Sequence, residues 1–308
     1  MMTCMKSALV TLAAWLAAPL PLLIAQSEPA QWSPETFDYD RPARLQVREA
    51  NPGARARVLS STQKTLSFRD VQGQEVPVLM TLPPGNGPFP VAILVHGFAS
   101  NREQITRHLT KSFVREGFAT LAFDLPFHGA RPGPPERLLV TDDPKKSRDN
   151  LVHAVINIRQ MIDLAESRKE LDASKGVYLV GYSMGGWLST LAAAADRRVE
   201  VLVLMVAVAG AAGEEDGRPE PVRNARSQAT LLERYVDLRP TDALRRYAGH
   251  PVLLQHGRKD PYVSSEDVDA LATAAGSKKE LRWYDAGHLL PEKAFQEAAE
   301  WLRRRTPK

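Results

Sequence analysis

Continuous apolar runs, rather than alternating ones, mark the middle and end of this chain. Val91–Val95, Thr120–Phe123, Val177–Val180, Val201–Val208 and Val252–Gln255 are short stretches with few polar positions. Such runs suit strands buried on both faces of a parallel sheet. Helical patterns lie between them. Residues 147–168 carry Leu151, Val155, Ile158, Ile162 and Ala165 at three- and four-residue steps, the spacing that collects apolar side chains on one helix face. Further helices are predicted over 103–117, Met184–Ala195, Ser265–Ala275 and Pro291–Arg305, and Leu281–Tyr284 reads as a last strand. Upstream, Thr65–Arg69 and Val76–Leu82 form a strand pair joined by a turn at Asp70–Gly73. The alternation of strand and helix from residue 91 onward predicts an α/β fold, with a mostly parallel central sheet and helices on both faces. No internal repeat is visible.

Three segments depart from that rhythm. Residues 211–250 separate two strands and are polar at Gly213–Arg223, then helical in pattern at Thr230–Tyr247. They read as a small cap insert over the C-terminal edge of the sheet, where open α/β sheets carry their sites. Residues 28–61 are polar and rich in Pro, Arg and Ala. They predict a loosely packed lead-in with one strand near Arg44–Glu49, placing the folded domain at 62–308. In residues 1–27 the only charge is Lys6, followed by an apolar run from Ala8 to Ala25 and the small-residue exit Ala25-Gln26-Ser27. That is the pattern of a signal peptide, and without a twin arginine it points to the general secretory route. The expectation is cleavage near Glu28 and an exported protein, periplasmic or secreted, with no stable membrane insertion afterwards. An uncleaved anchor competes with this reading, but Pro19 and Pro21 weaken a spanning helix.

Composition removes several classes of function. Of 308 residues, 44% are hydrophobic and 25% charged, which argues for a packed globular domain and against disorder. Cys4 is the only cysteine, so neither an intrachain disulfide nor a cysteine-clustered zinc site is available. Forty basic against 36 acidic residues give a net charge of +4, spread along the chain, and no nucleic-acid surface is expected. The run Arg303-Arg304-Arg305 reads as a solvated helix end favoured by the helix dipole.

The candidate chemistry begins at Gly181-Tyr182-Ser183-Met184-Gly185, a G-x-S-x-G sequence between a predicted strand and a predicted helix. A sharp turn there projects the Ser183 hydroxyl above the sheet, with glycine where a side chain would strike neighbouring backbone. It also sets the Met184 N–H at a helix N-terminus, facing developing negative charge. Alone, the pattern also fits a glycine-rich turn with a solvated serine.

A serine hydroxyl needs a base. His108 and His153 fall on helices as surface or packing residues, and His250 precedes a strand. His96, His128 and His256 each precede a glycine at a strand end or turn, where the ring can bond the backbone and set a loop. His288 follows the last strand in Asp285-Ala286-Gly287-His288, on a loop that reaches back over the sheet edge, and it is the preferred base. The carboxylate that orients the base is assigned to Asp260, after the strand Val252–Gln255. Asp267 and Asp269 fall in a helix, Asp285 is too near His288 in sequence, and Asp124 is the weaker rival. Phe98, in His96-Gly97-Phe98, is the second expected oxyanion donor beside Met184.

The chain order Ser183, Asp260, His288, with an oxyanion loop upstream, is that of α/β-hydrolases. Residues 62–305 resemble that family through Leu94–Phe98, Phe123–Gly129, Gly181–Gly186 and Gly257-x-x-Asp260 followed by Gly287-His288. The resemblance implies a Ser183 nucleophile, a His288 base, an Asp260 acid, an oxyanion hole of the Phe98 and Met184 amides, and no cofactor. Within the family the chain looks most like bacterial esterases related to dienelactone hydrolases and acetyl xylan esterases, although it carries serine where dienelactone hydrolases carry cysteine. The expected activity is hydrolysis of small-molecule carboxylic esters through an acyl-enzyme. A peptidase or amidase using the same triad, or a non-catalytic binding protein with this fold, are the alternatives. Phe98, Phe127 and Met184 are candidate pocket walls or core residues. Tyr182 and Trp187 read as packing residues, and Arg131 and Arg137 as part of a solvated loop, with contact to an anionic substrate as the alternative.

Overall fold

The apolar runs assemble into the sheet that their pattern predicts. The computed structural model describes residues 32–42, 45–50, 56–58, 61–139, 143–209 and 235–306; the signal peptide expected at 1–27 and the larger part of the expected cap lie outside them. The strands are β1 (Val47–Glu49), β2 (Ala56–Val58), β3 (Ser61–Arg69), β4 (Glu75–Leu82), β5 (Phe89–Val95), β6 (Ala119–Phe123), β7 (Leu171–Asp172), β8 (Val177–Tyr182), β9 (Val199–Met205), β10 (Val252–Gly257) and β11 (Lys279–Tyr284). The helices are α1 (Arg102–Arg115), α2 (Pro144–Ser167), α3 (Met184–Ala195), α4 (Pro240–Tyr247), α5 (Ser265–Ala274) and α6 (Glu292–Arg303).

The sheet runs in the order β1-β3-β4-β6-β5-β8-β9-β10-β11. From β6 to β11 every neighbouring pair is parallel, while β1, β3 and β4 join by antiparallel pairing. The chain steps from β5 to β6 on one side and then returns to β8 on the other. That reversal opens a crevice beyond the C-terminal ends of β5 and β8, the position at which open α/β sheets bind ligands. Val91 to Val95 and Val177 to Val180 are fully or almost fully buried, as their unbroken apolar character requires.

Two apolar clusters line the two faces. One gathers Leu151, Ile158 and Ile162 of α2 with Leu188 and Leu191 of α3; the other gathers Ile105 and Leu109 of α1 with Phe295 and Trp301 of α6. The described part of the expected cap belongs to the first face rather than to the sheet edge. Ala243, Leu244 and Tyr247 form the buried stripe of α4, which packs on α3 and α5, and Trp187 donates its indole N–H to the Leu238 carbonyl at 2.8 Å. Among the described residues, no helix is long and apolar enough to cross a membrane.

The described lead-in is anchored rather than loose. Phe37 is fully buried, its carbonyl accepts from Arg159, and the Tyr39 hydroxyl donates to Asp163. The strand expected near Arg44–Glu49 is β1, paired with β3 through Val47 and Phe68.

Candidate active site

Ser183 sits between the last residue of β8 and the first of α3 with φ 55° and ψ −121°. Its side chain makes that left-handed conformation costly, on the order of 1–3 kcal/mol, and packing holds it there. The Ser183 N–H donates to the Met205 carbonyl of the neighbouring strand, and the Ser183 carbonyl accepts from Gly186 N–H at 2.9 Å. The glycines allow the turn to close. A Cβ on Gly185 would lie 2.2 Å from the Val95 carbonyl oxygen, and one on Gly181 would lie 2.5 Å from the Gly185 carbonyl oxygen.

The turn meets the two loops expected to approach it. His288 Nε2 is 2.9 Å from Ser183 Oγ, and its Nδ1 is 2.8 Å from Asp260 Oδ2. The other Asp260 oxygen accepts N–H bonds from Tyr262 and Val263 at 2.9 and 3.2 Å. These bonds hold the carboxylate aimed at the ring, and with the Asp260 side chain 1% exposed water screens its field little. The two loops are zipped together: Lys259 N–H donates to Ala286 O at 2.9 Å and Arg258 N–H to Tyr284 O at 2.8 Å. Gly257 permits that approach, since a Cβ there would fall 2.2 Å from the Gly287 carbonyl oxygen. Chemically, the arrangement allows a proton to pass from Ser183 to His288 while Asp260 fixes the ring's tautomer and balances the imidazolium.

The other side of Ser183 is formed by Gly97 and Phe98. Neither the Phe98 nor the Met184 N–H donates to an acceptor among the described residues, and Met184 opens helix α3, where main-chain N–H groups face outward. His96 orients the Phe98 N–H. Its Nε2 accepts the Leu125 N–H at 3.1 Å, which leaves the proton on Nδ1, 2.8 Å from the Gly97 carbonyl oxygen. That carbonyl and the Phe98 N–H belong to one planar peptide and point oppositely, so gripping the first aims the second. Burial, reinforced by His128, depresses the His96 pKa to about 3, and the ring is neutral.

The remaining candidates separate cleanly. Asp124 is fully buried and engaged elsewhere: it accepts the Arg102 and Ala130 N–H groups, both at 2.9 Å, and pairs with the Arg102 guanidinium. Asp285 is exposed and paired with Lys259, and Asp267 caps α5 with Ser264. His128 bonds the Pro126 carbonyl as expected. His256 does not bond the backbone: neither ring nitrogen has a partner among the described residues, and burial lowers its pKa to about 4. Arg131 is no solvated loop residue. It is buried, with Nη2 2.7 Å from Asp70 Oδ2 and 2.8 Å from Gln74 Oε1. Arg137 is exposed. Met184 and Trp187 are core residues, whereas Phe98 lines a cavity of about 210 Å³ beside Ser183 and His288. Sequence reasoning missed Tyr182 as a clamp on the histidine loop, and missed the part of α1 that walls this cavity.

The profile of the alpha/beta hydrolase family matches residues 92–234. An uncharacterized 31.7 kDa Escherichia coli protein, named for the traX-finO intergenic region, is 31% identical over 128 residues, 42% of this chain and 41% of that protein. The alignment therefore spans less than half the length of the curated relative. Among solved structures, acetyl xylan esterase 1 from Thermoanaerobacterium sp. JW/SL YS485 superposes with a TM-score of 0.70 at 19% identity, covering 90% of this chain and 95% of that one. The acetyl xylan esterase of Paenibacillus sp. R4 gives 0.67 at 18% identity, covering 89% and 92%. The sheet order, the strand-to-helix serine turn and these matches together make this chain an α/β-hydrolase in fold.

Proposed function

We propose that this protein is a serine esterase that hydrolyses small-molecule carboxylic esters through an acyl-enzyme. The observation that carries the reading is the continuous relay from Asp260 through His288 to Ser183, with contacts of 2.8 and 2.9 Å. Ser183 Oγ attacks the ester carbonyl carbon as its proton passes to His288 Nε2. The carbonyl oxygen becomes an oxyanion, held by the Phe98 and Met184 N–H groups; losing one such donor costs about 10²–10³ in turnover. Collapse expels the alcohol, which takes the proton from His288. Water, deprotonated by the same ring, then attacks the acyl-serine; the bond to Ser183 Oγ breaks, Oγ takes the proton back from His288, and the acid is released. The residues needed are all side chains and amides of this chain, and the mechanism requires no cofactor. The esterases among the structural relatives share the fold and support the ester over the amide.

The test is turnover of p-nitrophenyl esters by the protein and its Ser183→Ala and His288→Ala variants. Both variants should stay folded and lose nearly all activity; wild-type rates in Ser183→Ala would end the reading. Residues 1–27 support export of the same protein. N-terminal sequencing of exported material should begin near Glu28, and an intact Met1 or Met2 terminus there would exclude cleavage.

A further inference from the structure

The cavity beside Ser183 is a slot between α1 and α6, and its walls define a substrate. About a turn and a half of α1 supplies one wall. Ile105 and Leu109, one turn apart, are buried at its base; Gln104 and His108, one turn apart, stand exposed at its rim. Phe295 of α6, 4% exposed, closes the floor opposite. Leu289, next to the base and 69% exposed, overhangs the mouth.

We propose that this slot is the acyl pocket and that it accepts short apolar acyl groups, up to about the size of hexanoyl or benzoyl. The proposal rests on the esterase reading above. Three observations carry it. The slot starts at Ser183 and His288, so a group bound there is continuous with the reacting carbon. Its base is apolar, so a charged acyl end would be stripped of water without a partner. Its volume of about 210 Å³ modestly exceeds the ~150 Å³ apolar cavity that takes up benzene. The wall from Gln104 to Leu109 rises only about 7 Å, which limits chain length. The acyl arm stays on Ser183 through both half-reactions and tolerates a closed floor, whereas the alcohol must leave and be replaced by water.

The experiment measures kcat/KM for p-nitrophenyl esters from acetate to decanoate, and for acetates of alcohols of increasing size. Wild type should rise toward hexanoate and fall by decanoate. Gln104→Trp, at an exposed rim position that the core does not need, should lower the hexanoate-to-acetate ratio about tenfold, the scale of a methylene or two in an apolar pocket. Phe295→Ala should move the optimum to longer chains. Acyl preference unmoved in Gln104→Trp overturns the proposal. So does a change confined to the alcohol series, which would give the slot to the leaving group. Absence of Ser183-dependent turnover on every ester overturns the esterase reading itself, a result distinct from turnover with unmoved acyl preference.

Discussion

The hydroxyl of Tyr182 donates to the main-chain carbonyl of His288 at 2.7 Å and accepts the Leu290 N–H at 3.1 Å. The residue preceding Ser183 thus holds the loop that carries His288. Burial pushes the Tyr182 pKa up to about 12, so the hydroxyl keeps the proton it donates. Tyr182→Phe removes both bonds and leaves two main-chain groups unpaired, at a cost of about 1–3 kcal/mol. We expect kcat to fall about ten- to a hundredfold through misplacement of His288, with KM little changed. Steady-state kinetics and a denaturant titration check this; wild-type kcat in the variant would show that the loop holds itself.

Asp260 and Asp124 are both buried carboxylates at strand ends, and they should fail in different ways. Asp260→Asn keeps the shape but presents an amide to His288 Nδ1. The expected loss is on the order of 10⁴ in kcat, the scale seen when a triad carboxylate becomes an amide, with near-normal thermal stability. Asp124→Asn breaks the buried pair with Arg102, for which about 3–5 kcal/mol is typical. It should lower the melting temperature while the folded fraction retains its activity. Inactivity of Asp124→Asn with a harmless Asp260→Asn would reverse the assignment.

Acid should destabilise the protein through two buried rings. Burial first of all holds His96 at a pKa of about 3 and His256 at about 4, against 6.5 for the free side chain. As pH falls through 6.5 the unfolded chain takes up these protons and the folded chain does not. The unfolded state then binds more protons, so stability is full above that pH and declines toward about pH 4. Denaturant midpoints at about pH 7 and about pH 5 measure the drop. His256→Leu, which removes one titrating ring, should shrink it; an unchanged drop would show that other groups set the acid limit.

Gly185→Ala tests the turn itself. The new methyl meets the Val95 carbonyl at 2.2 Å, backbone that cannot rotate aside as a side chain would. The expected penalty is at least the upper end of the ~1–3 kcal/mol typical of overpacking, together with loss of activity as Ser183 shifts. Full activity at unchanged stability would mean that the serine turn is softer than its packing implies.

The sheet was legible because β5, β8, β9 and β10 are buried on both faces and so carry unbroken apolar runs. That Ser183, His288 and Asp260 would be brought together was legible because each follows a strand in the chain order of one fold, and glycines mark the close approaches. Other features depend on partners distant in sequence. Arg131 sits in a Pro- and Gly-rich stretch that reads as solvated, yet Asp70 and Gln74 from the β3–β4 turn enclose it. The lead-in is polar in composition, but Phe37, Tyr39 and the pairing of β1 with β3 hold its described part. His256 shares its His-Gly pattern with His96 and lacks the carbonyl contact that His96 makes. The wall of the slot was hidden because α1 reads as an ordinary amphipathic helix, and only its position against α6 turns Gln104 and His108 into a rim.

The central claim is that Ser183 carries the acyl group. Mixing the protein rapidly with an excess of a p-nitrophenyl ester, following p-nitrophenol release, quenching in acid and measuring the intact and peptide masses tests it directly. The account predicts a burst of p-nitrophenol of about one per active site and an added acyl mass on the peptide containing Ser183, both abolished in Ser183→Ala. Steady turnover with no covalent adduct, or an adduct on another residue, would contradict it.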